Sequence, residues 1–204
     1  PRGDTENIVE EVIATIENSG YNTVLDMCTG TGAIAISVAH YTKAKVTASD
    51  ISSKALEVAR ENAKILNADV NFIESDLFEN INETFDVLVS NPPYIESEVI
   101  PTLMEQVKDY EPMLALDGGK DGLDFYRNII NQAKNYINQN GCIVFEIGYN
   151  QGGQVKSLLE NAGFVNINVK QDLAGLDRLV IGFKLWYTDH IRTGGKKCLK
   201  DLQI

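Results

Sequence analysis

The sequence predicts an α/β fold: a seven-stranded, mostly parallel sheet with helices on both faces and the last strand antiparallel. Three observations carry this. Helical and strand periodicities alternate almost the whole length of the chain. The strand pattern from Phe85 to Ser90 is nearly all apolar, as a strand covered on both faces is. The last two strand patterns have no helix pattern between them, so they pair antiparallel, whereas right-handed crossovers set the winding of the others.

The elements read in order as follows. Ile8, Val9, Val12, Ile13 and Ile16 fall at helical spacing after the candidate caps Asp4 and Thr5. Gly20 and Asn22 punctuate, and Thr23-Val24-Leu25-Asp26 reads as a short buried strand. A glycine-rich turn leads into an apolar helix over Ala33 to Ala39. Lys45 to Asp50 is a second strand, and Ser52 or Ser53 can cap the helix in which Leu56, Ala59, Ala63 and Leu66 step by three and four. Asn71 to Glu74 and Phe85 to Ser90 are the third and fourth strands. Residues 95–120 form a long irregular stretch containing Pro101, Pro112 and Gly118-Gly119, and a connection of that length is usually functional. Leu123, Tyr126, Ile129, Ile130, Ala133 and Ile137 mark another helix, and Gly141 opens a fifth strand running to Ile147. A helix with Val155, Leu158, Leu159 and Ala162 stops at Gly163, and strands near Val165–Val169 and Leu179–Phe183 end the pattern. Periodicity is lost over 184–204, where Lys184, Arg192, Lys196, Lys197 and Lys200 cluster; this tail is assigned no function.

Length and composition narrow the function classes. A chain of 204 residues, 44% hydrophobic, supports one domain with a sizeable core. It contains no apolar run of about 18 residues, so no membrane partner is expected. The start shows no signal peptide, and with Pro1 in place of Met it reads as a fragment or a trimmed chain. Cys28, Cys142 and Cys198 are odd in number and far apart, which suits reduced thiols in a cytoplasmic protein. With only His40 and His190 beside them, no metal site is expected. The net charge of −11, from 29 acidic and 18 basic residues, argues against stable nucleic-acid binding and favours a basic partner surface.

The first chemical signal is Asp26-Met27-Cys28-Thr29-Gly30-Thr31-Gly32, between the first strand and its helix. Glycines there allow positive φ and close backbone approach to a ligand, and the helix N-terminus adds N–H donors and partial positive charge. A tight turn without a ligand is the plainer alternative. The dinucleotide pattern G-x-G-x-x-G is incomplete, since Cys28 and Ala35 stand at its outer glycines. The turn instead resembles the first motif of the class I methyltransferases, which have a Rossmann-like fold and bind S-adenosylmethionine. The resemblance implies that the turn passes under the methionine and ribose moieties and that Asp26 faces the amino-acid end. Asp50, followed by Ile51, ends the second strand twenty residues after Gly30, where an acid can accept from two ribose hydroxyls or simply cap the next helix. By the same resemblance Asp76 and Leu77 line the adenine pocket.

The most specific motif is Asn91-Pro92-Pro93-Tyr94 after the fourth strand, at the edge where doubly wound sheets bind ligands. An amide or aromatic amino nitrogen has a delocalised lone pair and must be held in line with the methyl donor. The Asn91 side-chain oxygen and the Pro92 carbonyl are suited to accept from its two N–H bonds, proline stiffens the loop, and Tyr94 can stack on the planar group. A Pro-Pro turn that merely ends a strand is the bland reading.

Two target classes share this tetrapeptide, DNA adenine (N6) and protein glutamine (N5). Pro1-Arg2-Gly3-Asp4-Thr5-Glu6, Glu111-Pro112, Gly118-Gly119-x-Asp121-Gly122-Leu123, Phe145-Glu146-Ile147-Gly148 and Asp172-Leu173-Ala174-Gly175-x-Asp177-Arg178 resemble, in order, segments of the release-factor glutamine N5-methyltransferases. That resemblance runs from Pro1 to about Phe183 and implies methylation of the glutamine in the Gly-Gly-Gln tip of peptide-chain release factors, with S-adenosylhomocysteine as product. It implies residues 1–183 as the catalytic domain and, ahead of it, a helical substrate-binding domain that this chain does not contain. Cys28 departs from a common glycine. The alternatives are a DNA adenine N6-methyltransferase and a cofactor-binding fragment that is silent without the helical domain. Gly152-Gly153-Gln154 repeats the target tripeptide but reads as a helix start.

Overall fold

A computed structural model describes residues 3–103 and 113–185. Pro1-Arg2, Glu111-Pro112, His190, Cys198 and the tail from residue 186 lie outside the described residues. The elements are α1 (Gly3–Ser19), β1 (Thr23–Met27), α2 (Ala33–Tyr41), β2 (Lys45–Asp50), α3 (Ser53–Leu66), β3 (Val70–Glu74), β4 (Phe85–Ser90), α4 (Asp124–Ala133), β5 (Ile137–Glu146), α5 (Gly152–Asn161), β6 (Val165–Gln171) and β7 (Asp177–Phe183). The seven strands lie in the order β3-β2-β1-β4-β5-β7-β6. β1 to β5 pair in parallel, and β7 runs antiparallel between β5 and β6. The mixed sheet with a reversed last strand is therefore the one that the sequence pattern predicts.

Period-two alternation explains how the sheet holds helices on both sides. In β1, Val24 joins a core with Ile8 and Val12 of α1 and Ile34 and Val38 of α2. Its neighbours Leu25 and Met27 join the opposite core with Tyr126 and Ile129 of α4 and Val155 and Leu159 of α5. β4 divides in the same way, with Val87 and Val89 on the first side and Leu88 on the second. The central strands carry no polar face because neither face meets water.

The chain order reverses at β1: β2 and β3 extend to one side of it and β4 lies on the other. This switch point leaves a crevice beyond the carboxyl ends of β1 and β4. Backbone and side-chain bonds tie the strand tips there. Thr29 N–H donates to the Ser49 carbonyl at 3.0 Å and Ser75 N–H to the Asp50 carbonyl at 2.9 Å. The Ser90 hydroxyl donates to the Met27 carbonyl at 2.6 Å.

Several boundaries differ from expectation: β3 opens at Val70 rather than Asn71, β5 at Ile137 rather than Gly141, and β7 at Asp177 rather than Leu179. α1 begins at Gly3, which puts Asp4 and Thr5 inside its first turn. β1 extends through Met27. The fourth helix ends at Ala133, and Ile137 opens β5. Ile137 continues the helical spacing because the first residue of the strand enters the same core as Ala133. The chain turns between them, with Tyr136 N–H bonded to the Ala133 carbonyl, and Phe85 N–H then bonds the Tyr136 carbonyl to begin the strand pairing. The register shifts between Phe85 and Val87, opposite the part of β5 that contains Asn140 at φ 63°. The Ser52 cap is as expected: its hydroxyl accepts from Ala55 N–H at 3.2 Å.

Leu88 lies in the middle of the core at 0% exposure, whereas Ile65 on α3 is 75% exposed. Leu88→Ala is expected to lower unfolding free energy by about 2–5 kcal/mol, and Ile65→Ala by no more than about 0.5 kcal/mol. Urea titration of both variants checks this.

Candidate active site

The crevice holds a cavity of about 390 Å³. Met27, Cys28 and Gly30 form one wall, Ser49, Asp50 and Ile51 the next, and Ser75, Asp76 and Leu77 the third. Asn91 and Pro93 line it from the end of β4, and Leu114, Ala115 and Phe125 complete the lining. Four separate strand tips thus converge on one space. Asp26, Thr29, Thr31, Gly32, Pro92 and Tyr94, also expected at the site, do not line it. A second groove of about 570 Å³ between α1 and α2, lined in part by Glu6, Glu10, Val9 and Ile13, lies away from the strand tips.

Asp26 supports the turn from below. It is fully buried, and its Oδ2 accepts from the Thr29 hydroxyl at 2.5 Å and from Ala35 N–H at 3.0 Å. One carboxylate oxygen therefore holds both the turn and the start of α2. Its Oδ1 has no hydrogen-bond partner. Burial, opposed by these two bonds, pushes its pKa up to about 7. The turn above takes left-handed φ at Cys28 (60°), Gly30 (58°) and Gly32 (83°). A non-glycine residue there is uncommon and strained, and Cys28 is such a residue. Burial, then the neighbouring Asp50 charge, pushes its thiol up to about 12, so it is a neutral wall rather than a nucleophile. A Cβ on Gly30 would meet nothing within 4 Å, so the turn is open toward the cavity.

Asp50 lines the cavity, and each of its oxygens accepts one backbone N–H. Oδ2 accepts from Gly30 N–H at 2.8 Å and Oδ1 from Ser52 N–H at 2.9 Å. The helix cap is Ser52, which leaves Asp50 as the brace between the tips of β1 and β2. A carboxylate has about four lone-pair sites, so two acceptor positions remain. Leu77 also takes a left-handed φ of 47°. The buried Ser75 hydroxyl holds that loop by donating to the Leu77 carbonyl at 2.9 Å and accepting from Asn80 N–H at 3.0 Å.

Several lining residues escape sequence reasoning. Ser49 is 1% exposed, lines the cavity, and its hydroxyl has no partner. A polar residue in an otherwise buried strand was its available signal. Leu114 arrives from a segment without periodicity, and Phe125 lies on α4 beside its buried stripe, where spacing gives no sign of a cavity.

The cavity fits S-adenosylmethionine on its own features. It offers an orphaned buried hydroxyl, a carboxylate with spare acceptor sites, an open glycine turn at a helix N-terminus, and apolar walls at Leu77 and Phe125. Among the described residues no cluster of three or more His, Cys, Asp or Glu could hold a metal ion. No described helix is long and apolar enough to cross a membrane.

Comparison with known proteins decides the family. The methyltransferase small domain family matches residues 9–118. The release factor glutamine methyltransferase of Clostridium acetobutylicum is 46% identical over 190 residues, which cover 90% of this chain and 67% of that protein. The chain belongs to the release factor glutamine methyltransferase family. It spans about two thirds of the length of that relative. The solved protein-(glutamine-N5) methyltransferase (release factor-specific) from Alicyclobacillus acidocaldarius has a TM-score of 0.56 and 27% identity, covering 91% of this chain and 94% of that one. A 16S rRNA methyltransferase from T. thermophilus, solved with AdoMet and guanosine, shares the fold at TM-score 0.64 and 16% identity over 90% of this chain and 43% of that one. Family membership favours glutamine over DNA adenine as the methylation target.

The buried acid gives a pH signature. The folded state keeps the Asp26 proton up to about pH 7, whereas the unfolded carboxyl releases it near its ordinary 3.8. Between these values the folded state binds more protons, so stability from this group falls as pH rises from about 4 to about 7. Asp26→Asn is expected to flatten that decline, and urea unfolding of cofactor-free protein across this range measures it.

Proposed function

We propose that this chain transfers a methyl group from S-adenosylmethionine to the side-chain amide nitrogen of the glutamine in the Gly-Gly-Gln motif of release factors, leaving S-adenosylhomocysteine. The observation that carries this reading is the placement of Asn91 and Pro93 in the lining of the same cavity as Asp50 and Leu77. A nitrogen held by the tetrapeptide would stand beside a cofactor held by the strand tips. Family membership supports the choice of glutamine. In this reading residues 1–183 are the catalytic unit, 184–204 carry no assigned role, and the protein acts in the cytoplasm, where its substrate is.

Cofactor binding falls to named groups. Asp50 would accept from the ribose hydroxyls. Ile51 and Leu77 would flank the adenine, and Asp76 would accept from its amino group. Cys28, Thr29, Gly30, Thr31 and Gly32 would carry the methionine end over the turn, with Asp26 beneath it. When bound, the cofactor supplies an electrophilic methyl on a sulfonium.

The chain's own contribution is orientation. The Asn91 side-chain oxygen and the Pro92 carbonyl accept from the two N–H bonds of the target amide and turn its lone pair toward the methyl. Pro92 and Pro93 fix φ at two successive residues, so the acceptors are set before substrate arrives. Tyr94 flanks the planar amide. No strong base is needed before attack, because the nitrogen becomes acidic as the bond to carbon forms.

Transfer of labelled methyl to a purified release factor, beside its Gly-Gly-Gln→Gly-Gly-Ala variant and a duplex DNA, tests the reading. Label on the wild-type factor alone supports it, and label on DNA would move the target to adenine. Cofactor binding without transfer to any of them would mark the chain as a silent fragment. Asn91→Ala is expected to reduce kcat/KM on the order of 10²–10³-fold, the scale of losing one oriented polar contact in a transition state, with cofactor Kd nearly unchanged. Asp50→Ala is expected to weaken cofactor binding by roughly 10- to 100-fold, as loss of charge-assisted bonds does, measured by calorimetry.

A further inference from the structure

Gln151 lies between β5 and α5, outside the cavity lining, and is 4% exposed. Each polar atom of its side chain is engaged. Oε1 accepts from Gly148 N–H at 2.9 Å. Nε2 donates to the Tyr94 carbonyl at 2.9 Å and to the Gly122 carbonyl at 3.2 Å. The amide can point only one way, since a flip would set its oxygen against two carbonyls and its NH₂ against an N–H. One side chain thus joins three segments: the end of Asn91–Tyr94, the turn at Gly122, and the loop after β5.

The surrounding backbone is shaped to admit these contacts. A Cβ on Gly122 would lie 2.4 Å from the Tyr94 carbonyl oxygen and 2.7 Å from Gln151 Nε2. A Cβ on Gly148 would lie 2.9 Å from Gln151 Oε1, and one on Gly118 would lie 2.7 Å from Tyr94 Cα. Side chains at these positions would push the three segments apart.

The same peptide unit is held on its other edge. Ile95 N–H donates to the Leu116 carbonyl at 3.0 Å, and Gly118 N–H returns to the Ile95 carbonyl at 2.8 Å. The plane of the Tyr94–Ile95 peptide is therefore set by Gln151 on its carbonyl side and by the 116–118 strip on its N–H side. Two prolines connect that plane to Asn91 with little torsional freedom. The 113–118 strip also carries Leu114 and Ala115, which line the same cavity as Asn91.

We propose that Gln151 is a positioning residue for methyl transfer: its amide locks the Tyr94 and Gly122 carbonyls and so sets the Asn91 and Pro92 acceptors relative to the cofactor cavity. Gln151 touches neither cofactor nor substrate in this scheme and acts through the Asn91–Tyr94 loop. The inference rests on the glutamine-methyltransferase reading for its catalytic consequence and on the hydrogen bonds alone for the clamp.

The test uses two near-isosteric variants of the same chain. Gln151→Glu keeps the acceptor for Gly148 N–H but turns oxygen toward the two carbonyls, and Gln151→Met removes both donors without adding charge. Amide hydrogen exchange by NMR, without substrate, is expected to rise at least about tenfold at Ile95 and Gly118 and to stay unchanged at Met27 and Ala48, since removing a bond frees only the segment it held. On the release factor, kcat is expected to fall on the order of 10²-fold with cofactor Kd held within about threefold, the scale of a small misplacement of reacting groups. Unchanged exchange at Ile95 and Gly118 in both variants overturns the proposal. So does a kcat within about twofold of the parent, or a loss of cofactor affinity and melting temperature in parallel, which would mark Gln151 as merely structural. If the parent itself transfers nothing to a release factor, the function reading fails, and the exchange measurement still decides the clamp.

Discussion

The candidate site depends on a single buried carboxyl. Asp26 sits between the core residues Leu25 and Met27 of β1, and its Oδ2 accepts from the Thr29 hydroxyl and from Ala35 N–H. A turn with left-handed residues at three alternate positions does not hold its shape by propensity, since φ above zero is costly for Cys28 and neutral at best for Gly30 and Gly32. The buried oxygen fixes both ends of that turn at once. The position of Gly30 then fixes Asp50, which bonds its N–H, and Asp50 fixes Ser52 and the start of α3. Burial of a carboxyl without a full set of donors is unfavourable, and the raised pKa of Asp26 is the record of that cost.

The rest of the fold serves to bring four strand tips to this turn. Parallel pairing of β1 with β2 and β4, and of β2 with β3, puts their carboxyl ends on one edge. Covering both faces with helices makes the strands apolar and leaves that edge as the place for polar chemistry. The reversal of strand order at β1 opens the crevice between two groups of loops. One group, from β1 to β3, supplies a carboxylate and apolar walls. The other, from β4 and β5, carries the Asn91–Tyr94 loop. In the proposed function the first group holds the cofactor and the second the target amide, so the topology of the sheet would separate the two tasks, and the loop after β5 joins the second group through Gln151.

Much was legible in the sequence where chemistry sits in short, contiguous runs. Asp26 to Gly32, Asp50, Asp76-Leu77 and Asn91 to Tyr94 each lie at or just after the end of a strand pattern, which puts each of them near a strand tip. Period-two and period-3.6 patterns also identify the helices and strands, because each buried face must repeat at the period of its backbone. Boundaries were less legible. Ile137 continues the spacing of α4 yet begins β5, since both elements feed one core and spacing alone does not tell them apart. Phe125 and Gln151 are not legible in this way, because neither the spacing of a helix nor a loop sequence gives a sign of what a side chain faces; Ser49 gave only the sign of a polar residue in a buried strand.

The sequence by itself determined the fold class and the places of the glycine turn and of Asn91-Pro92-Pro93-Tyr94 after their strands, because local patterning and backbone chemistry dictate these. Only the tertiary structure decided which of those residues reach the cavity. It drew Asp26 beneath the turn, brought Leu114, Ala115 and Phe125 into the wall, and set Gln151 against Tyr94, 57 positions away in the chain. The physical reason is that a hydrogen bond or a cavity wall depends on distance in space. Side chains brought together by strand pairing and crossovers leave no mark on the spacing of either segment.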